Sequence, residues 1–336
     1  MGTHAGGGLR HGSQLQECKK LFEDQNVDAV AIAAPYQLEQ PMQRREFLSM
    51  AAAAPAVAQP SAQPLVAVFT KPLQKLGWAE LGRTIVRTGL RHADLTVRPE
   101  GHVLPERVRE DLPRAVEALA GEGVSVAMIT TELTSASDPT ARPILDRAAR
   151  LKIPYYKLGY WRYRKDDVEL TLARVKRDAE GLVALGRELR IQAIWHNHGG
   201  DYVGHSVWDT REIIGGLDPR WIGYYFDLSH AFSEGGVGGW NIALRLALPR
   251  LRVVAAKDHF RTRSGGRWIR KTCPLGQGMV DFDAALAMLA QAGFDGPLSL
   301  HVEYETPDPV EAIARDAAFL LKQLDRHWPV KRSKPA

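Results

Sequence analysis

Short apolar runs alternate with amphipathic stretches from residue 64 to near the C-terminus. Residues 65–69, 93–97, 124–129, 154–158, 191–195, 221–226, 251–256 and 298–302 are rich in Val, Ile, Leu, Ala and aromatic residues. Near-continuous runs of this length are the pattern of strands buried on both faces of a parallel sheet. The stretches between them repeat apolar positions every three or four residues. Helices are therefore predicted over 78–88, 105–119, 139–151, 168–189, 207–214, 240–248, 282–292 and 309–324. Val108, Leu112, Val116 and Leu119 share one face of the second, and Leu172, Val175, Ala179, Leu182 and Leu185 form the stripe of the fourth. Gly235-Gly236 and Gly238-Gly239 predict a flexible loop before 240–248, and a long polar loop through Gly265-Gly266 follows 251–256.

The strands end alike. The run 191–195 stops in His196-Asn197-His198-Gly199-Gly200, and alternation puts His196 and His198 on one face. Other strands run out into Arg98, Glu132, Lys157, Asp227 and His230, Lys257-Asp258-His259, and Glu303. Eight strand–helix units in about 265 residues match an α/β chain folded as a (β/α)8 TIM barrel in number and length. A doubly wound open sheet usually has fewer strands and a glycine fingerprint after the first. In a barrel the C-terminal strand ends meet at one mouth, where a ring of charges does not serve packing. Taken singly, each residue has a plainer reading: a strand-end histidine as a satisfied structural group, Lys157 and Lys257 as salt bridges to Glu132 or Asp258.

Composition narrows the class. The chain has 336 residues, 45% hydrophobic and 25% charged, with a formal net charge of +5. Lys and Arg are interspersed with Asp and Glu, as in Glu106-Arg107-Val108-Arg109-Glu110, so no nucleic-acid partner is expected. The two cysteines, Cys18 and Cys273, have neither metal-ligand spacing nor a disulfide framework. No apolar run is long enough to span a bilayer as a mature helix, so no membrane association is expected of the mature form.

The N-terminal region reads in pieces. Arg44-Arg45, then Phe47-Leu48, an Ala-rich segment and Ala56-Val57-Ala58 resemble a bacterial twin-arginine export signal over 42–60. An Ala-rich linker is the plainer alternative. The signal implies a mature chain starting near Gln59, periplasmic or secreted, and a cytoplasmic protein if the signal is not used. Residues 1–41 form an upstream extension outside the fold. They resemble a fragment of the nucleotide-binding domain of the glucose-fructose oxidoreductase family, without its Gly-rich phosphate loop. The barrel is expected over 61–328, followed by a basic tail, 329–336.

Trp195-His196-Asn197-His198, Phe226-Asp227-Leu228-Ser229-His230, Lys257-Asp258, Pro274-Leu275-Gly276-Gln277-Gly278 and Leu300-His301-Val302-Glu303 carry a family likeness. From residue 64 to about 327 the chain resembles the sugar phosphate isomerase/epimerase superfamily, the xylose-isomerase-like TIM barrels. The resemblance implies a divalent metal held by Glu, Asp, His and Glu at the ends of strands five to eight, and proton transfer by the two glutamates through an enediolate. Asp227 and Glu303 match two of those positions; His196 stands at the strand-five Glu and Ala255 at the strand-seven His.

The expected chemistry follows. A divalent metal (Mn, Zn, Co or Mg) is placed on His196, Asp227 and Glu303, where it would acidify a C–H beside a carbonyl. Glu303 or His198 is the base and Lys257 the charge-stabilising partner. Arg98, Glu132, Lys157, Trp195, His230 and His259 are assigned to the substrate, a small carbohydrate, with Tyr160, Trp161, Tyr163, Tyr202 and Trp208 as stacking faces or loop packing. No Gly-rich phosphate loop supports a phosphorylated substrate. The expected function is sugar isomerisation or epimerisation; the alternative, favoured by Ala255, is a non-catalytic carbohydrate-binding barrel without its metal. An endonuclease would need more His, Asp and Glu ligands for a zinc cluster and a basic face. A homo-oligomer is left open.

Overall fold

A computed structural model describes residues 62–163, 165 and 167–329. The upstream extension, the export signal and residues 330–336 lie outside the described residues. In chain order the strands are β1 (Val66–Phe69), β2 (His92–Thr96), β3 (Ser125–Thr130), β4 (Tyr155–Lys157), β5 (Gln192–His196), β6 (Ile222–Asp227), β7 (Leu251–Ala256), β8 (Asp258–Ser264), β9 (Arg267–Cys273) and β10 (Leu298–Leu300). The α-helices are α1 (Trp78–Arg87), α2 (Val108–Gly121), α3 (Ala141–Arg150), α4 (Val168–Leu189), α5 (Val207–Ile214), α6 (Leu228–Ala247), α7 (Phe282–Gln291) and α8 (Pro309–His327). Eight strands close into a parallel ring in the order β1-β10-β7-β6-β5-β4-β3-β2. The (β/α)8 barrel read from the pattern is the fold.

Local chemistry starts and stops the helices. Asp167 caps α4 by accepting from the Leu170 N–H at 3.1 Å, and Arg190 ends it in the left-handed region. Asp308 caps α8 through the N–H groups of Val310 and Glu311, with Pro309 in the first turn. Strand parity then divides the side chains. Val66, Val68, Ala93, Leu95, Tyr156, Ala193, Trp195, Tyr224, Phe226, Leu298 and Leu300 belong to the large core packed with the helices. Met128, Ile194, Tyr225, Val253 and Ala255 form a separate small cluster, the plug of the barrel's interior.

Two expectations are corrected. The polar loop after β7 is an antiparallel hairpin, β8–β9, in register from Asp258↔Cys273 to Ser264↔Arg267. Gly265 and Gly266 form its two-residue turn with φ of 56° and 76°, the left-handed pair that matches strand twist. The glycine-rich loop before 240–248 is instead part of α6, which starts directly after β6 and is broken at Gly236 (φ 58°, ψ −160°). Among the described residues, no helix is long and apolar enough to cross a membrane.

Candidate active site

A cavity of about 90 Å³ opens at the C-terminal mouth of the barrel. Arg98, Lys157, His196, His198, Lys257 and Glu303, all expected from the strand ends, line it together with Phe69, Lys71, Thr130, Tyr160, Tyr225 and His301.

The two carboxylates expected to hold a metal do face each other, but a lysine lies between them. Lys257 Nζ is 2.9 Å from Asp227 Oδ2 and donates to Glu303 Oε2 at 3.1 Å. Lys71 Nζ donates to the other Glu303 oxygen at 3.1 Å. The remaining Asp227 oxygen is committed to the fold: Oδ1 accepts from the His230 N–H at 2.8 Å and caps α6. Burial, the largest single influence, would raise both carboxyl pKa values, yet the Lys257 ammonium, together with the His196 hydrogen bond at Asp227 and the Lys71 charge at Glu303, holds both well below the usual range. Lys257 is itself raised: burial disfavours its charge, and the two carboxylates overcome that.

His196 is saturated as well. Its Nε2 lies 3.1 Å from Asp227 Oδ2, and its Nδ1 lies 2.6 Å from the Tyr160 hydroxyl. A carboxylate only accepts, so Nε2 carries the proton and Nδ1 accepts from Tyr160. Burial lowers the ring's pKa to about 3, so it is neutral. The divalent metal expected on His196, Asp227 and Glu303 does not fit these residues. The imidazole presents a proton to the site instead of a lone pair, and Ala255 supplies no ligand beside Asp227. A fixed ammonium already neutralises the carboxylates, and a second cation within a few ångströms would be repelled.

Three groups at the cavity keep free capacity. His198 Nδ1 donates to the Gly199 carbonyl at 2.9 Å, leaving Nε2 as a bare lone pair. Burial, then the Lys257 charge, lower its pKa to about 4. His301 is held from behind: Thr130, Tyr225 and Ser299 hydroxyls all donate to Asp94, at 2.7, 3.2 and 2.8 Å. Having given its proton to Asp94, the Tyr225 hydroxyl accepts from His301 Nε2 at 2.7 Å. Among the described residues His301 Nδ1 is buried without a hydrogen-bond partner, 3.7 Å from Glu303 Oε2, and the ring stacks on Phe69. Lys157, the third, ends β4 with its Nζ 3.4 Å above the Tyr160 ring.

The other expected site residues fall elsewhere. Glu132 pairs with Arg98 at 3.0 Å, at the rim. Trp195 has the opposite parity to His196: it is buried in the outer core and stacks on Trp161 at 4.8 Å. Its assignment to the substrate is corrected, and parity alone was the signal against it. His230 lies behind His198, ring centroids 4.3 Å apart, and accepts from the Gly199 N–H. His259 is fully buried against Ser229 at 3.0 Å. Asp258 organises the loop 274–280, accepting from the N–H groups of Gly276, Gly278 and Val280. Tyr225 and His301 were missed, although each lies two residues before an expected site residue, on the same face. Lys71, at the end of the first strand, carried no such signal.

No curated protein sequence matches the chain. The family described as xylose isomerase-like TIM barrel matches residues 83–324. A xylose isomerase-like TIM barrel protein from Mycobacterium smegmatis, solved in complex with magnesium, is similar at a TM-score of 0.63 and 17% identity, over 80% of this chain and 98% of that one. The apo 3-keto-D-glucoside 4-epimerase of E. coli is similar at 0.61 and 13%, over 77% and 99%. A D-tagatose 3-epimerase-like protein is similar at 0.62 and 16%, over 78% and 98%.

Proposed function

The chain belongs to the xylose isomerase-like TIM barrel family, and we propose that it isomerises or epimerises a small carbohydrate by moving a proton at a carbon next to a carbonyl, without a divalent metal. One observation carries the reading: two imidazole nitrogens with no hydrogen-bond partner among the described residues, His198 Nε2 and His301 Nδ1, share one cavity with the Glu303 carboxylate. His198 takes the proton, because its lone pair is bare at neutral pH. Glu303 is ionised but clamped between two lysines, which makes it a weaker base than a free carboxylate. Its role is to hold Lys257 and Lys71 at the site. The enediolate oxygen that gains charge is stabilised by the lysines at the mouth. Relatives named as sugar epimerases support the substrate class. Export through residues 42–60 belongs to the same reading, since unphosphorylated sugars are the substrates available outside the cytoplasm.

The test is hydrogen exchange. Full-length protein is stripped with a chelator, placed in D2O with D-fructose or D-tagatose, and followed by proton NMR. Deuterium should enter at the carbon beside the carbonyl, and His198→Ala should slow entry by about 100-fold or more. No exchange, with or without added Mn²⁺, rejects the reading. Saturable sugar binding without exchange would establish the second reading, a binding barrel, which the Lys257 clamp on both carboxylates favours.

A further inference from the structure

Lysine is rarely buried unless a carboxylate pairs with it. Lys71 and Lys257 both pair with Glu303, and Arg98 pairs with Glu132. Lys157 is 4% exposed, lines the same cavity, and among the described residues has no carboxylate within ion-pair distance of its amine. What it has is the face of Tyr160, whose hydroxyl is spent on His196. The ring order adds a second geometric fact. β4 and β10 are four places apart in a ring of eight, so Lys157 reaches the mouth diametrically opposite His301 and Glu303, with His198 on the neighbouring strand end. The cavity between has room for on the order of three water volumes, enough for the carbonyl carbon and its two neighbours in an open-chain sugar whose remainder extends through the open mouth.

We infer that Lys157 is a nucleophile that condenses with the carbonyl carbon of an open-chain α-hydroxy aldehyde or ketone, and that the resulting iminium supplies the positive charge a metal ion would otherwise provide. The inference rests on the proton-transfer reading of the site. The step balances without a co-reactant. The Lys157 ammonium first releases one proton, and the exposed Nζ lone pair forms the C–N bond while the carbonyl π pair moves to oxygen. The released proton and one of the two amine protons leave with that oxygen as water, and the remaining amine proton stays on the C=N⁺. The iminium draws electrons from the adjacent C–H, whose proton passes to His198 Nε2 as the pair moves in to form an enamine. Reprotonation of the same carbon on its other face restores the iminium, and addition of one water with loss of the amine releases the epimer and returns Lys157 to its ammonium form. Burial and the neighbouring Arg98 guanidinium lower the Lys157 pKa to about 7, so a large neutral fraction is present where a surface lysine has almost none.

The test traps the iminium. Full-length protein is incubated with dihydroxyacetone and sodium cyanoborohydride, and the modified lysine is located by peptide mass mapping. One reduced adduct per chain is expected, on Lys157, absent from Lys157→Arg, which keeps the charge but is not a nucleophile. Lys157→Arg should also lose about 100-fold or more of the exchange rate, with Lys157→Met as a second variant should the first misfold. Labelling spread over other lysines with none on Lys157, or full exchange in Lys157→Arg, overturns the inference and leaves the proton-transfer reading standing. An adduct on Lys157 without exchange upholds the nucleophile and rejects that reading. Neither adduct nor exchange rejects both.

Discussion

Two lysines at the mouth, Lys157 and Lys257, are equally buried and have opposite surroundings, and substitution should separate them. Lys257 neutralises Asp227 and Glu303. In Lys257→Met the buried Asp227 loses its ammonium and Glu303 keeps Lys71, at a cost of about 3–5 kcal/mol in urea unfolding at neutral pH. Mn²⁺ should recover part of that loss in the variant and leave the parent protein unchanged. If Mn²⁺ stabilises the parent equally, the site has room for the ion and our account of its donor set is wrong. Lys157 has no such partner, so its charge is a net penalty. Lys157→Met should stabilise the fold, on the order of 1–3 kcal/mol, while removing the adduct. A destabilised Lys157→Met would mean that the contact with Tyr160 is structural.

The strand ends show how one or two residues decide which face a side chain serves. His196 and His198 were placed by period-two alternation, and the same rule, applied to neighbours, would have sent Trp195 outward and brought Tyr225 and His301 in. The hairpin β8–β9 was missed because charged residues mask its alternation, although Gly265-Gly266 is a turn signal of the right length. Asp258 ties the start of that hairpin to the loop 274–280. Gly278 sits so close to Asp258 that a side chain there would meet the carboxylate. Asp258→Ala forfeits the backbone bonds from His259, Gly276, Gly278 and Val280, and about 2–4 kcal/mol of stability should go with them. Limited proteolysis should then cut first within 274–280. Cleavage elsewhere, with that loop still protected, would show that the hairpin holds it by other contacts.

Across the barrel, the buried imidazoles tie stability to pH. Burial lowers His196 to about 3 and His198 and His259 to about 4, against about 6.5 in the unfolded chain. Between those values the unfolded state binds more protons. The stability these groups contribute is therefore complete above pH 6.5 and is lost as pH falls toward 4. Asp94, whose pKa burial raises, offsets a part of the loss at the acid end. Lys157 extends the slope upward, because the unfolded lysine keeps its proton between pH 7 and 10.5 while the folded one sheds it. Urea midpoints should rise steadily from pH 4.5 to 9, with the part above 7 missing in Lys157→Met. A flat profile between 5 and 7 would mean that the histidines are charged in the folded barrel.

The order of apolar runs determined the number of strand–helix units, and with it the closed ring and the end of the ring that collects polar side chains. Burial patterns are local in sequence, so these features could be read from the chain. The pairing of charges could not. Whether Asp227 and Glu303 hold a metal or an ammonium depends on Lys257 projecting between them from a third strand, and on the small side chain of Ala255 beside Asp227. Whether Lys157 finds a carboxylate depends on which strands stand next to it in the ring. Both are distances between segments remote along the chain, and they exist only once the barrel has closed.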